Sequence, residues 1–327
     1  MSQNFVHILF PLIILTFAPP IEAQSNITFT NDEMIIDLRQ GPPVLHGEIE
    51  GERYKFLISP ATHIITVPPD IAETYVSPKL KFPFFKIPID HKKIKPTFGR
   101  LKIDFPNDVT RKDNAYWLDD RVPYEDYDGI IDAFGFKKDK VTFILESPNP
   151  DKPVKAQDFK SESKVQWIQQ QKKLINGENI LISFRPYYDK TRITIGTAYA
   201  LEEGENIEYN QQVFRQYRDY VGVEEFVTGH LPTPLFPLHS DRPIKEVQVH
   251  ILKGSFDPRS TEIGADEVVA TGKSNRKYTK IIWLGRDHFK GCERIEFKPK
   301  KKLMTTYCAP NAELSLEPSL ASDPSRP

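Results

Sequence analysis

Prolines interrupt this chain so often that long helices have no room in it. There are 28 in 327 residues, against 16 glycines. Each proline removes a backbone donor and clashes with the preceding helical turn, so a chain punctuated this way favours short strands joined by irregular loops. Hydrophobic residues make up 39% and aromatic residues 11%, which is enough apolar surface for a packed core. Acidic and basic residues nearly balance, 45 against 44, for a formal net charge of -1. That balance gives no overall attraction to nucleic acid or to an anionic membrane. An all-β fold is expected, and the length suggests two lobes.

The first residues bear on compartment. From Phe5 to Ala18 the chain reads FVHILFPLIILTFA, uncharged and apolar, followed by PPIEAQ with the small residue Ala23 just before Gln24. This is the pattern of an export signal over residues 1–23, cleaved after Ala23, with a periplasmic or extracellular destination. Pro11 argues against a stable spanning helix, and no later stretch approaches the roughly 20 apolar residues a membrane helix needs. Cys292 and Cys308 are the only cysteines. In an oxidising compartment they are expected to pair, and the loop they would close stabilises by about 3 kcal/mol on a chain-entropy argument. Asn26-Ile27-Thr28 has the form of a glycosylation sequon.

Two stretches far apart look alike. Val44 to Pro68 reads VLHGEIEGERYKFLISPATHIITVP, and Lys173 to Ile195 reads KLINGENILISFRPYYDKTRITI. Each is a strand, a turn at glycine, a strand and a further apolar run. Ile49-Glu50-Gly51-Glu52 matches Ile175-Asn176-Gly177-Glu178, and without a gap Ser59-Pro60 then falls on Arg185-Pro186. Two extra residues bring Ile65-Thr66-Val67 onto Ile193-Thr194-Ile195. The match predicts a duplicated lobe, residues 24–150 and 151–310, with a seam in the Pro-rich segment Pro148 to Pro153. Residues 311–327 are left as a disordered tail.

At three places the sequence resembles the pepsin-like aspartic proteases. Phe56 to Pro68, FLISPATHIITVP, is similar to that family's active-site strand, where an apolar run enters Asp-Thr-Gly. Tyr127 to Asp132, YDGIID, is similar to its Asp-Gly-Ile-Leu-Gly segment. Ile282 to Met304, IWLGRDHFKGCERIEFKPKKKLM, is similar to its closing segment. The resemblance implies two similar β-barrel lobes with a cleft between them. It also implies two carboxylates that share a proton, one acting as base toward water.

The departures fall on those acids. Ser59 stands at the first position, followed by Pro60 and Ala61 in place of Thr and Gly. At the second position the ungapped match gives Arg185, a permanent cation, and an alternative alignment slides Asp189 into the slot. Asp132 replaces the family's glycine after the apolar pair, whereas Leu284-Gly285 keeps it. The resemblance therefore implies an inactive homologue, a pseudoprotease that binds a peptide or protein in its cleft by strand addition. The cleft-facing residues are Ser59, Thr62 and His63 from the first lobe, with Arg185, Tyr187 and Asp189 from the second. Arg185 would favour an acidic peptide or a carboxyl terminus. The alternatives are a peptidase that uses Asp189, and a structural envelope or surface protein with a filled cleft.

Other chemistry has less support in the residues. Ser59 and His63, four residues apart on or after one strand, are expected to point to different places along it, and a triad would need a third orienting group, so both read as ordinary loop or cleft residues. His46, His230, His239, His250 and His288 lack the HExxH spacing, so no metal is implied. With no Gly-rich phosphate loop, no cofactor is expected. Lys298-Pro299-Lys300-Lys301-Lys302 reads as a solvated hairpin tip. Oligomeric state is not encoded in any of these features.

Overall fold

The computed structural model describes residues 26–60, 65–81, 87–89, 92–94, 97–117, 126–161, 170–175, 177–185, 187–202, 207–218, 222–239, 241–250 and 280–310. The segment 1–23, Thr62, His63 and the tail 311–327 lie outside them. In the first half the strands are β1 (Ile27–Phe29), β2 (Glu33–Asp37), β3 (Val44–Ile49), β4 (Glu52–Ser59), β5 (Ile65–Thr66), β6 (Ser77–Lys81), β7 (Ile87–Ile89), β8 (Lys92–Ile94), β9 (Thr97–Phe105), β10 (Val109–Trp117), β11 (Gly129–Asp132) and β12 (Lys140–Ile144). The second half has β13 (Lys155–Lys160), β14 (Gln170–Ile175), β15 (Glu178–Phe184), β16 (Arg192–Ile193), β17 (Glu208–Arg218), β18 (Gly222–Leu235), β19 (Ile244–His250), β20 (Ile281–Leu284), β21 (Cys292–Lys298) and β22 (Leu303–Cys308). Helix α1 (Pro69–Tyr75) follows β5, and helix α2 (Ile195–Glu202) follows β16.

Local chemistry sets these elements. In β9 the buried Leu101, Ile103 and Phe105 alternate with Arg100, Lys102 and Asp104, the period-two pattern of a strand with one face in the core. Phe56 to Ser59 of β4 are buried without alternation, as in a strand covered on both faces. The β3–β4 hairpin turns through Glu50 and Gly51, at φ 52° and 90°, the left-handed pair that matches strand twist. Pro69 opens α1, where its missing N–H is no loss.

The chain is mostly β, and its first seven-stranded sheet contains a closed barrel. The sheet runs β6-β9-β10-β5-β11-β4-β3, and β3 pairs back onto β9 to close six of the strands. The other seven-stranded sheet runs β17-β18-β19-β16-β20-β15-β14. Position by position the senses agree: β4–β11 and β15–β20 are parallel, β11–β5 and β20–β16 antiparallel, and β5–β10 and β16–β19 parallel. The outer pairs, β3–β4 with β14–β15 and β6–β9 with β17–β18, are antiparallel alike.

A third sheet, β1-β2-β12-β21-β22-β13, takes three strands from either half. Its inner face carries Met34, Ile36, Val141, Phe143, Ile295 and Phe297, all fully buried. Phe297 meets Phe134 beyond β11 and Phe184 of β15, each with ring centroids 5.5 Å apart, so one core joins all three sheets. Cys292 and Cys308 face each other at the end of the β21–β22 hairpin and form a disulfide. Beside it, the Arg242 guanidinium donates to the carbonyls of Lys290 and Ala309, tying the β18–β19 connection to both ends of that hairpin.

Candidate functional site

Ser59 ends β4 and is fully buried. Its strand runs parallel to β11 with Ile58 beside Ile131 and Ser59 beside Asp132, and the Ser59 carbonyl accepts from the Ala133 N–H at 2.9 Å. In the second sheet Phe184 lies beside Leu284, and the next residue, Arg185, donates its N–H to the Leu284 carbonyl at 2.9 Å. Ser59 and Arg185 therefore each stand one residue past matching strand pairs, at corresponding stations of the repeated pairing. The register at both stations agrees with the ungapped match of the two sequences.

The two stations differ in what their side chains do. Arg185 is buried, and its Nη1 donates to Ser183 Oγ at 3.0 Å and to the Phe184 carbonyl at 3.3 Å, inside its own sheet. Tyr187, two residues on, is half-buried and donates its hydroxyl to Ser59 Oγ at 3.3 Å. Tyr188 is buried, with the Arg192 guanidinium 3.6 Å above its ring. Asp189 is exposed, and its carbonyl accepts from the Asp287 N–H. The structure thus brings Ser59 and Tyr187 together and leaves Asp189 at the surface.

The turns beside the stations differ at the glycine position noted in the sequence. A Cβ at Gly285 would sit 2.5 Å from the Lys190 carbonyl carbon, so glycine is required there. Thr191 donates its hydroxyl to Asp287 and accepts the Gly285 N–H, which locks this crossing. Burial pushes the Asp287 carboxyl above its ordinary range, against its bonds from Thr191. In the first sheet Asp132 takes the place of that glycine. Its carboxylate accepts from the Phe134 N–H at 2.8 Å and is almost fully buried. Burial pushes its pKa up to about 7, opposed by the Arg111 guanidinium and the Phe134 N–H. Arg111 is itself buried; it donates to the Asp132 carbonyl at 2.7 Å and to Asp113 at 2.6 Å, and lies over the Phe136 ring.

Sequence reading treated Asp132 only as a departure and missed Arg111. The available signals were a charged residue inside the apolar run GIIDAF and an arginine at an inward position of β10. Among the described residues, no group of three or more His, Cys, Asp or Glu side chains is placed to hold a metal ion, and no helix is long and apolar enough to cross a membrane. No known family model and no curated protein matches the chain.

The Tyr187–Ser59 contact is measurable. In a double-mutant cycle of Ser59→Ala and Tyr187→Phe, unfolding is expected to show a coupling of about 1 kcal/mol, the net worth of a neutral hydrogen bond. Purely additive losses would mean that the two hydroxyls do not meet.

Proposed function

We propose that this chain is an exported, two-lobed pepsin-like protein without peptidase activity, which binds a peptide or protein segment between its lobes. The observation that carries this reading is the matched register at Ser59 and Arg185. A hydroxyl and a guanidinium stand where the shared-proton mechanism needs two carboxyl groups. A serine at this station has no carboxylate to serve as base, and arginine keeps its proton throughout the accessible pH range. The Cys292–Cys308 disulfide supports export, because such bonds persist in oxidising compartments.

The binding half of the reading follows from what a pepsin-like cleft retains without its acids. Main-chain donors and acceptors along strand edges, with side-chain pockets beside them, hold an extended peptide and require no catalytic group. Tyr187 on Ser59 would then form part of the floor on which such a peptide lies. The exposed Asp189 offers no buried carboxylate for a peptidase alternative.

The test is retention. The purified mature chain, mixed with a diverse peptide library at about neutral pH and separated by size, is expected to carry a subset of peptides at their full length. Tyr187→Ala is expected to change which peptides are retained. Retention of none, or a set unchanged by that substitution, would contradict binding at this seam.

A further inference from the structure

The near-zero net charge conceals a strong local imbalance. Three distant segments bring lysines to one end of the six-stranded sheet: Lys137, Lys138 and Lys140 before and at the start of β12, Lys160 at the end of β13, and the lysines of residues 298–302 around the β21–β22 turn. Asp32, Glu33 and Asp139 are acidic residues of this end, and Glu296 and Asp158 follow on the same face in the next row of the sheet. Glu33 pairs with Lys140 and Asp139 with Lys300. Among the described residues Lys137, Lys160, Lys298 and Lys301 make no ion pair, and Lys137, Lys160 and Lys301 are exposed.

The sheet arranges part of this charge in a line. Val141 lies beside Phe297, so Lys140 and Lys298 are neighbours one step further on. Lys298 pairs with Leu303, and Leu303 with Lys160. The row Lys140, Lys298, Leu303, Lys160 therefore crosses four adjacent strands on one face. At about 4.8 Å per strand it spans roughly 14 Å. Alternate residues of an extended chain recur about every 7 Å, so three acidic side chains of one segment match its length.

We infer that this end of the six-stranded sheet is a docking surface for an extended acidic segment of a partner protein. An anionic lipid surface fits less well. Lipid contact also calls for exposed apolar anchors, and the exposed large hydrophobics among the described residues are Val213 and Phe236, in or beside strands of another sheet. The surface is separate from the Ser59–Tyr187 seam and does not depend on it.

The experiment uses the mature chain and a fluorescein-labelled dodecamer of alternating glutamate and alanine, with anisotropy read at low and at physiological salt. Binding is expected, weaker at the higher salt. The triple variant Lys160→Glu, Lys298→Glu, Lys301→Glu should weaken it by about tenfold or more. The triple variant Lys112→Glu, Lys152→Glu, Lys245→Glu changes the net charge equally at exposed positions elsewhere and should weaken it far less. Lys298 is half-buried and the other substituted positions are exposed, and unchanged melting curves check the fold. Equal weakening by both variants, no binding of the dodecamer, or binding to phosphatidylserine vesicles in place of the peptide would each overturn the inference.

Discussion

Replacing Phe297 by alanine is expected to lower the unfolding free energy by about 3–5 kcal/mol and the melting temperature by on the order of 10 °C. The size of the effect follows from where the ring sits. Phe297 is fully buried and touches Phe134, Phe143 and Phe184, with centroids 5.5–5.7 Å apart. Those partners come from β15, from β12 and from the turn beyond β11, so the cavity would open where all three sheets share one core. Aromatic contacts at such distances add to the area term, and backbone held by ladders on every side has little freedom to collapse into the space. Phe236→Ala makes a fair control, because Phe236 is 37% exposed and its loss should cost far less. Chemical denaturation of both variants decides the matter. A loss below about 1 kcal/mol at Phe297 would mean that the sheets do not share this core.

Asp132→Asn is expected to stabilise the protein above neutral pH and to leave it nearly unchanged near pH 4. A carboxyl whose folded pKa is raised contributes its stability in full below the unfolded value of 3.8 and loses it as pH rises through the folded value of about 7. Over that window the wild-type chain should lose about 4 kcal/mol from this one group. Asparagine keeps the oxygen that accepts from the Phe134 N–H and carries no buried charge. The difference between the two unfolding curves, followed from about pH 4 to about pH 8, isolates the effect from other titrating groups. One of those acts in the opposite direction. His239 is buried against Phe159 and bonded to Gln157; burial, helped by Arg242, takes its pKa down to about 4. Its contribution is present above about 6.5 and is lost as pH falls through the folded value. Parallel curves for wild type and Asp132→Asn would show that the carboxyl is not buried as described.

The parts of this fold that were legible in the sequence are those written in local chemistry. The Glu50-Gly51 turn, the unbroken apolar entry into Ser59, the GIID strand and the lysine-rich turn before Leu303 all follow from residues within a few positions of one another. The disulfide was legible because only two cysteines exist to form it. The six-stranded sheet was not, because it pairs β12 with β21 across nearly half of the chain and the alternation in either strand names no partner. Arg111 and Asp132 escaped for a related reason: one on β10 and one ending β11, they meet only when the barrel closes. The lysine row is a third case, since it exists only once the registers of four strands are set. The middle strands of the second half, β17 rich in Gln and Arg and β18 interrupted by Gly and Pro, lack the clean period-two pattern that marks β9.

The most direct measurement is turnover. The purified protein incubated with a mixed peptide library from about pH 3 to about pH 8 should generate no new termini beyond those that arise in the library without it, because neither station of the repeated pairing carries a carboxylate. Cleavage that persists in Ser59→Ala and disappears in Asp189→Asn would contradict this and give the chain an acid-dependent chemistry of its own.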